Sequence, residues 1–174
     1  MGERSTKGST GIVVEVPDAA PLVADLRRRY DPLVAFGGPP HITVLFPWIQ
    51  LPELDDATRD ALAALAGAMP VFDAELVRFG RFPGVGYLTP APTAPFIALT
   101  RAVQRRWPDY QPYRGQFDQP VPHLTVAQDQ PDPVLDAIES ELTPGLPIRF
   151  AVRHLTVLGF DGHRWNRAHR VRLG

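Results

Sequence analysis

Apolar and polar positions alternate in two different rhythms along the chain. GIVVEV (Gly11–Val16) is β-branched and reads as a strand. From Asp18 to Tyr30 the apolar residues Leu22, Val23 and Leu26 recur at helical spacing, with Pro21 near the first turn. HITVLF (His41–Phe46) returns to a strand. A helix then runs from a cap at Asp55 or Asp56 through Met69, with Leu62, Leu65 and Met69 on one stripe. Val71–Phe79 alternates as a strand, and Gly84–Leu88 is a short strand after an RFPG turn.

Phe96–Trp107 reads as a helix offering Ile97, Leu99, Val103 and Trp107 to the core. Leu124–Ala127 is a strand, and Pro133–Leu142 a short helix begun near Asp132. Ile148–Leu158 and Trp165–Leu173 are predicted as single strands joined by FDGHR, whose Asp-Gly signals a hairpin. Pro108–Pro122 lacks either rhythm and reads as a loop able to line a site. The order β-α-β-α-β-β-α-β-α-β-β, with local hairpins, points to an α+β or mixed fold rather than a doubly wound sheet.

Composition narrows the class. The 174 residues suit one domain, expected over 11–174 after a loose polar tail at 1–10. The chain has no cysteine, which removes a disulfide scaffold, a thiolate zinc site and a cysteine nucleophile. No apolar h-region opens the chain and no apolar run is long enough for a membrane, so the expected setting is the cytoplasm, away from membranes. A net charge of −1 argues against gripping long nucleic acid by counterion release alone. Arginine dominates the bases, at 27–29, at 101, 105 and 106, and at 153, 164, 167, 170 and 172. Guanidinium suits phosphate, but solvated helix faces and codon bias account for the same pattern.

The chemistry is in a repeated phrase. PPHITV contains His41, and VPHLTV contains His123, 82 positions later (123 − 41). In a strand, residues i and i+2 share a face. Each phrase therefore presents an imidazole beside a hydroxyl, His41 with Thr43 and His123 with Thr125, while the aliphatics face the core. Pro40 and Pro122 suit a strand start. If the strands are neighbours, two imidazoles and two hydroxyls surround one point, where a phosphate fits. One neutral imidazole can take a proton and the other, protonated, can supply one, because histidine titrates near neutrality. His154 and Thr156 form a third H-x-T without the proline, read as a pair of sheet residues. The five histidines show no metal-ligand spacing, so no metal and no cofactor is expected.

The paired PHITV and PHLTV resemble the H-x-T-x motifs of the two-histidine (2H) phosphoesterase superfamily, which includes 2′-5′ RNA ligase-like proteins. VLF after the first motif, LVRFGRFPGVGYL, and YQPYRGQF before the second are also similar to bacterial members. The resemblance implies a bilobal α+β fold, two pseudo-symmetric halves of antiparallel sheet with helices outside and a central cleft. It implies a metal-independent phosphodiesterase opening 2′,3′-cyclic phosphates on RNA ends or small cyclic nucleotides. Ligation of RNA ends, or binding of a nucleotide without chemistry, are the alternatives. Carried over, His41 and His123 are catalytic, and Thr43 and Thr125 bind phosphate. Trp48, Tyr113 and Arg114 are candidates for lining the substrate, with Tyr87 and Phe46 read rather as core. Gln128 stands where several members have Arg, which disfavours ligation. A monomer is expected.

Overall fold

The computed structural model describes residues 5–111 and 120–174. Tyr113 and Arg114 lie outside the described residues. Among the described residues, eight strands form a single antiparallel sheet: β1 (Thr10–Glu15), β2 (His41–Leu45), β3 (Phe72–Phe82), β4 (Val85–Ala91), β5 (Leu124–Ala127), β6 (Ile148–Val152), β7 (His154–Phe160) and β8 (Trp165–Arg172). Their order across the sheet is β6-β3-β4-β5-β2-β1-β7-β8. Four helices, α1 (Ala20–Tyr30), α2 (Asp56–Gly67), α3 (Ala94–Arg106) and α4 (Asp132–Leu142), send buried residues into one core against the sheet.

Local chemistry explains the boundaries. Asp55 caps α2 by accepting the Thr58 backbone N–H at 2.8 Å. The β7–β8 turn closes on Gly162 at φ +105°, and Asp161 Oδ1 accepts from the backbone N–H groups of His163 and Arg164. The apolar positions of the strands, Val14, Ile42, Leu124, Leu88 and Val157, meet Val23, Leu62, Leu99, Val103 and Leu135 of the helices. The opposite face stays polar at its centre, with a smaller cluster of Val13, Phe46, Leu158, Phe160 and Trp165 at one end.

The halves are related by an approximate two-fold between β2 and β5. Units β1-α1-β2 and β4-α3-β5 each run strand, helix, strand. Each helix crosses over, α1 packing on β5 and α3 on β2. This ties the two motif strands together at the middle of the sheet.

Two expectations change. Ile148–Leu158 is two strands, not one. Residues up to Val152 pair with β3 at one edge, and residues from His154 pair with β1 and β8 near the other. Only Arg153 separates them, so the sheet must curl until two strands with five others between them nearly meet. A run of strand-forming residues records propensity but not which edge each half joins. Residues 8–10, expected in the loose tail, are held by the sheet. Gly8 N donates to the Phe160 carbonyl at 2.8 Å, and Ser9 and Thr10 are buried.

Candidate active site

The register of β2 on β5 builds the site. Ile42 pairs with Leu124. In an antiparallel ladder the neighbours then fall crosswise, His41 opposite Thr125 and Thr43 opposite His123. The two histidines stand on a diagonal of this square, for which Cα atoms are about 7–8 Å apart. All four residues line one small cleft, together with Arg27, Asp31, Leu33 and Gln128.

Both rings are held in the same way. His41 Nδ1 lies 2.7 Å from the Pro39 carbonyl, and His123 Nδ1 lies 2.6 Å from the Val121 carbonyl. A carbonyl only accepts, so in each ring Nδ1 carries the proton and Nε2 keeps the lone pair when the ring is neutral. The prolines explain the repetition. Each restricts the residue before it to extended backbone and fixes its own φ, which turns the carbonyl two residues back toward the histidine.

Both histidines are half-buried, and burial is the main force on their titration. Desolvation disfavours the imidazolium and lowers His41 to about 4, with the Pro39 carbonyl opposing the shift. His123 is lowered for the same reason, opposed by the Val121 carbonyl. His123 also packs beside two rings, Phe82 edge-on at 5.3 Å and Tyr87 at 5.2 Å. Tyr87 itself lies over Gly80, where a Cβ would come within 2.5 Å of the Tyr87 ring.

Behind the cleft lies a buried ion pair. Arg27 Nη2 meets Asp31 Oδ2 at 2.7 Å, and Nε of the same guanidinium donates to that oxygen at 3.0 Å. Asp31 Oδ1 accepts from Leu33 N at 3.1 Å and from Gln128 Nε2 at 3.0 Å. Both charged residues are 3% exposed, so pairing offsets a desolvation that neither could bear alone.

The sequence leaves Arg27 between a phosphate-binding group and a solvated helix face, and the structure buries it against Asp31. A signal was present: Arg27 falls on the stripe of Val23, Leu26 and Tyr30, with an acid at i+4. Tyr87, read as core, and Phe82, not singled out, belong to the wall around His123. Phe46 is buried in the smaller cluster. Trp48 moves out of the site altogether. It is 1% exposed and packs edge-on against Trp107 at 5.0 Å, because its side chain turns to the helix side of the sheet.

A profile of the 2′-5′ RNA ligase superfamily matches residues 15–164, which include both motifs and the helix carrying Arg27. This chain belongs to the 2′-5′ RNA ligase superfamily, the two-histidine phosphoesterases. As a member it is a phosphoesterase or ligase-like enzyme. Solved structures of similar fold include Escherichia coli LigT complexed with 3′-AMP, at 20% identity and TM-score 0.59, covering 97% of this chain and 99% of LigT. TT0787 of Thermus thermophilus is similar at 15% identity and TM-score 0.56, covering 95% and 97% of the two chains. No curated protein sequence matches this superfamily member. Among its described residues, no helix is long and apolar enough to cross a membrane.

Proposed function

We propose that the protein opens 2′,3′-cyclic phosphates, on RNA ends or small nucleotides, by acid–base catalysis between His41 and His123. The observation that carries this reading is the crossed square of His41, Thr125, Thr43 and His123 in one cleft. A phosphate seated there has an imidazole Nε2 on each side. One neutral ring accepts a proton from water as the water oxygen bonds to phosphorus. The bond from phosphorus to one ribose oxygen breaks, and the second ring, protonated, supplies the proton that this oxygen takes up. The product is a phosphate monoester beside a free ribose hydroxyl. Each proton transfer contributes about 10²–10⁴-fold. The Thr43 and Thr125 hydroxyls donate to the non-bridging oxygens and hold them in register.

Burial supports this use of the rings. A lowered imidazole is neutral and able to accept a proton at neutral pH. An anionic phosphate restores the protonated state of its neighbour, because an opposite charge nearby favours the imidazolium. Crystals of LigT hold nucleotides and phosphate, and a phosphate-centred ligand suits the cleft described above. Ligation is less well served. Gln128 gives its amide to Asp31, so this position offers no cation to a second RNA end.

The test is hydrolysis of a nucleoside 2′,3′-cyclic phosphate with and without EDTA, by wild type, His41→Ala and His123→Ala. Metal-independent turnover that each substitution lowers by at least about 100-fold is expected. Turnover unchanged by either substitution would refute the mechanism. Tight binding of a cyclic nucleotide that stays uncleaved would make the protein a binder instead.

A further inference from the structure

The third H-x-T lies on the same face of the sheet as the other two. Thr43 pairs with Val13, Val13 with Thr156, and Thr156 with Arg170. Directly paired residues point to one side of a sheet, so Thr156 and Arg170 share the face of Thr43. One step along, His41 pairs with Glu15 and His154 pairs with Arg172. The strand spacing of about 4.8 Å puts β7 about 10 Å from β2, and β8 about 14 Å.

This stretch of face is basic. Strand β8 carries Arg167, Arg170 and Arg172 and no acid, in a chain whose net charge is −1. Asp161 is occupied by the hairpin turn. Glu15, between the cleft and the third motif, is neutralised: Arg167 meets its two carboxylate oxygens at 2.8 Å and 2.6 Å. Arg170 and Arg172 are exposed on the face of His154, and among the described residues no carboxylate pairs with them. Arg170 Nη2 donates to His154 Nδ1 at 3.2 Å. A neutral His154 accepting there carries its proton on Nε2, a further donor.

We propose that this face is a track for single-stranded RNA, binding the phosphodiesters 5′ of the phosphate held between His41 and His123 through Arg170, Arg172 and His154. Charge complementarity selects the occupant, and guanidinium groups suit phosphate oxygens. The proposal rests on the reaction assigned above and names its substrate class: an RNA 3′ end has chain on its 5′ side only, and the track leads from the cleft to the β8 edge. Charges on an edge strand also block pairing with other sheets. That role gives no dependence of RNA affinity on these side chains.

The experiment measures binding of a fluorescent single-stranded RNA ending in a 3′-phosphate, by anisotropy across a salt series. Wild type is compared with Arg170→Gln/Arg172→Gln and with the corresponding double lysine variant. Losing two phosphate contacts should flatten the slope of log affinity against log salt by about 1.4, from roughly 0.7 per contact. The lysine variant should keep the slope. In parallel, kcat/KM is measured for an RNA ending in a 2′,3′-cyclic phosphate and for a mononucleoside 2′,3′-cyclic phosphate. The glutamine variant should lose much more on the RNA than on the mononucleotide. A slope unchanged in the glutamine variant, or equal losses on both substrates, overturns the track while leaving the reaction standing. A flattened slope with no hydrolysis of either substrate by wild type supports the track and removes the reaction.

Discussion

Ile42 stands opposite Leu124 across β2 and β5, and this pairing turns two separate H-x-T motifs into one square. A register slip by one residue would send one histidine and its threonine to the core face. Since both rings act on one phosphorus atom, their losses should not add. His41→Ala and His123→Ala should each lower kcat/KM by about 10²–10⁴-fold, and the double variant should lose little more than the worse single one. Steady-state kinetics on a cyclic mononucleotide, with circular dichroism to confirm the fold, checks this. Fully multiplicative losses would mean that the rings act independently.

The lowered titration of His41 makes stability depend on pH. Folded His41 titrates at about 4 against an ordinary value of 6.5. Between these values the unfolded chain binds the extra proton, so the benefit is whole above about 6.5 and is lost as pH falls through about 4. The separation corresponds to on the order of 3 kcal/mol. Urea midpoints should fall between pH 7 and pH 4, and less steeply in His41→Asn, whose amide keeps a donor at the Nδ1 position for the Pro39 carbonyl. Identical pH profiles for the two proteins would count against a buried, neutral His41.

Asp31 should matter more for stability than an ordinary surface acid. Asp31→Ala leaves the Arg27 guanidinium buried and unpaired, and should cost about 3–5 kcal/mol. Pairing it with Arg27→Met removes the stranded charge and should recover part of that loss. Urea denaturation of the two single variants and the double variant measures the coupling. A double variant no more stable than Asp31→Ala would show that the pair is not the source.

Gly80 keeps its position by having no side chain. A Cβ there meets the Tyr87 ring at 2.5 Å, so Gly80→Ala should displace Tyr87 from beside His123. The expected result is a fall in kcat larger than any rise in KM, with a shifted His123 titration by NMR. A Gly80→Ala variant with wild-type kinetics would show that Tyr87 does not position the ring.

Trp48→Phe tests the reassignment of Trp48 to the core. Its indole N–H is buried with no acceptor among the described residues, so the substitution removes an unmet donor while keeping most of the ring. Unchanged kinetics and a change in stability within about 1–3 kcal/mol are expected. A raised KM would return Trp48 to the substrate wall.

The sequence by itself determined what is local. Period-two alternation decides that His41 and Thr43 share a face, and likewise His123 and Thr125, because that is a property of any strand. The prolines at 40 and 122 decide the backbone behind each ring. The helices and most strands follow from apolar spacing, and the α+β class from their order.

The tertiary structure alone decided which strands are neighbours. That β2 meets β5 across 82 residues (123 − 41), that Ile148–Leu158 divides between opposite sides of the sheet, and that Arg27 faces into the protein beside Asp31 depend on partners distant in the chain. A residue's rhythm states which side it can present. The partner that covers that side is chosen by the burial of apolar area and by the pairing of buried charge over the whole fold, and no local window contains either.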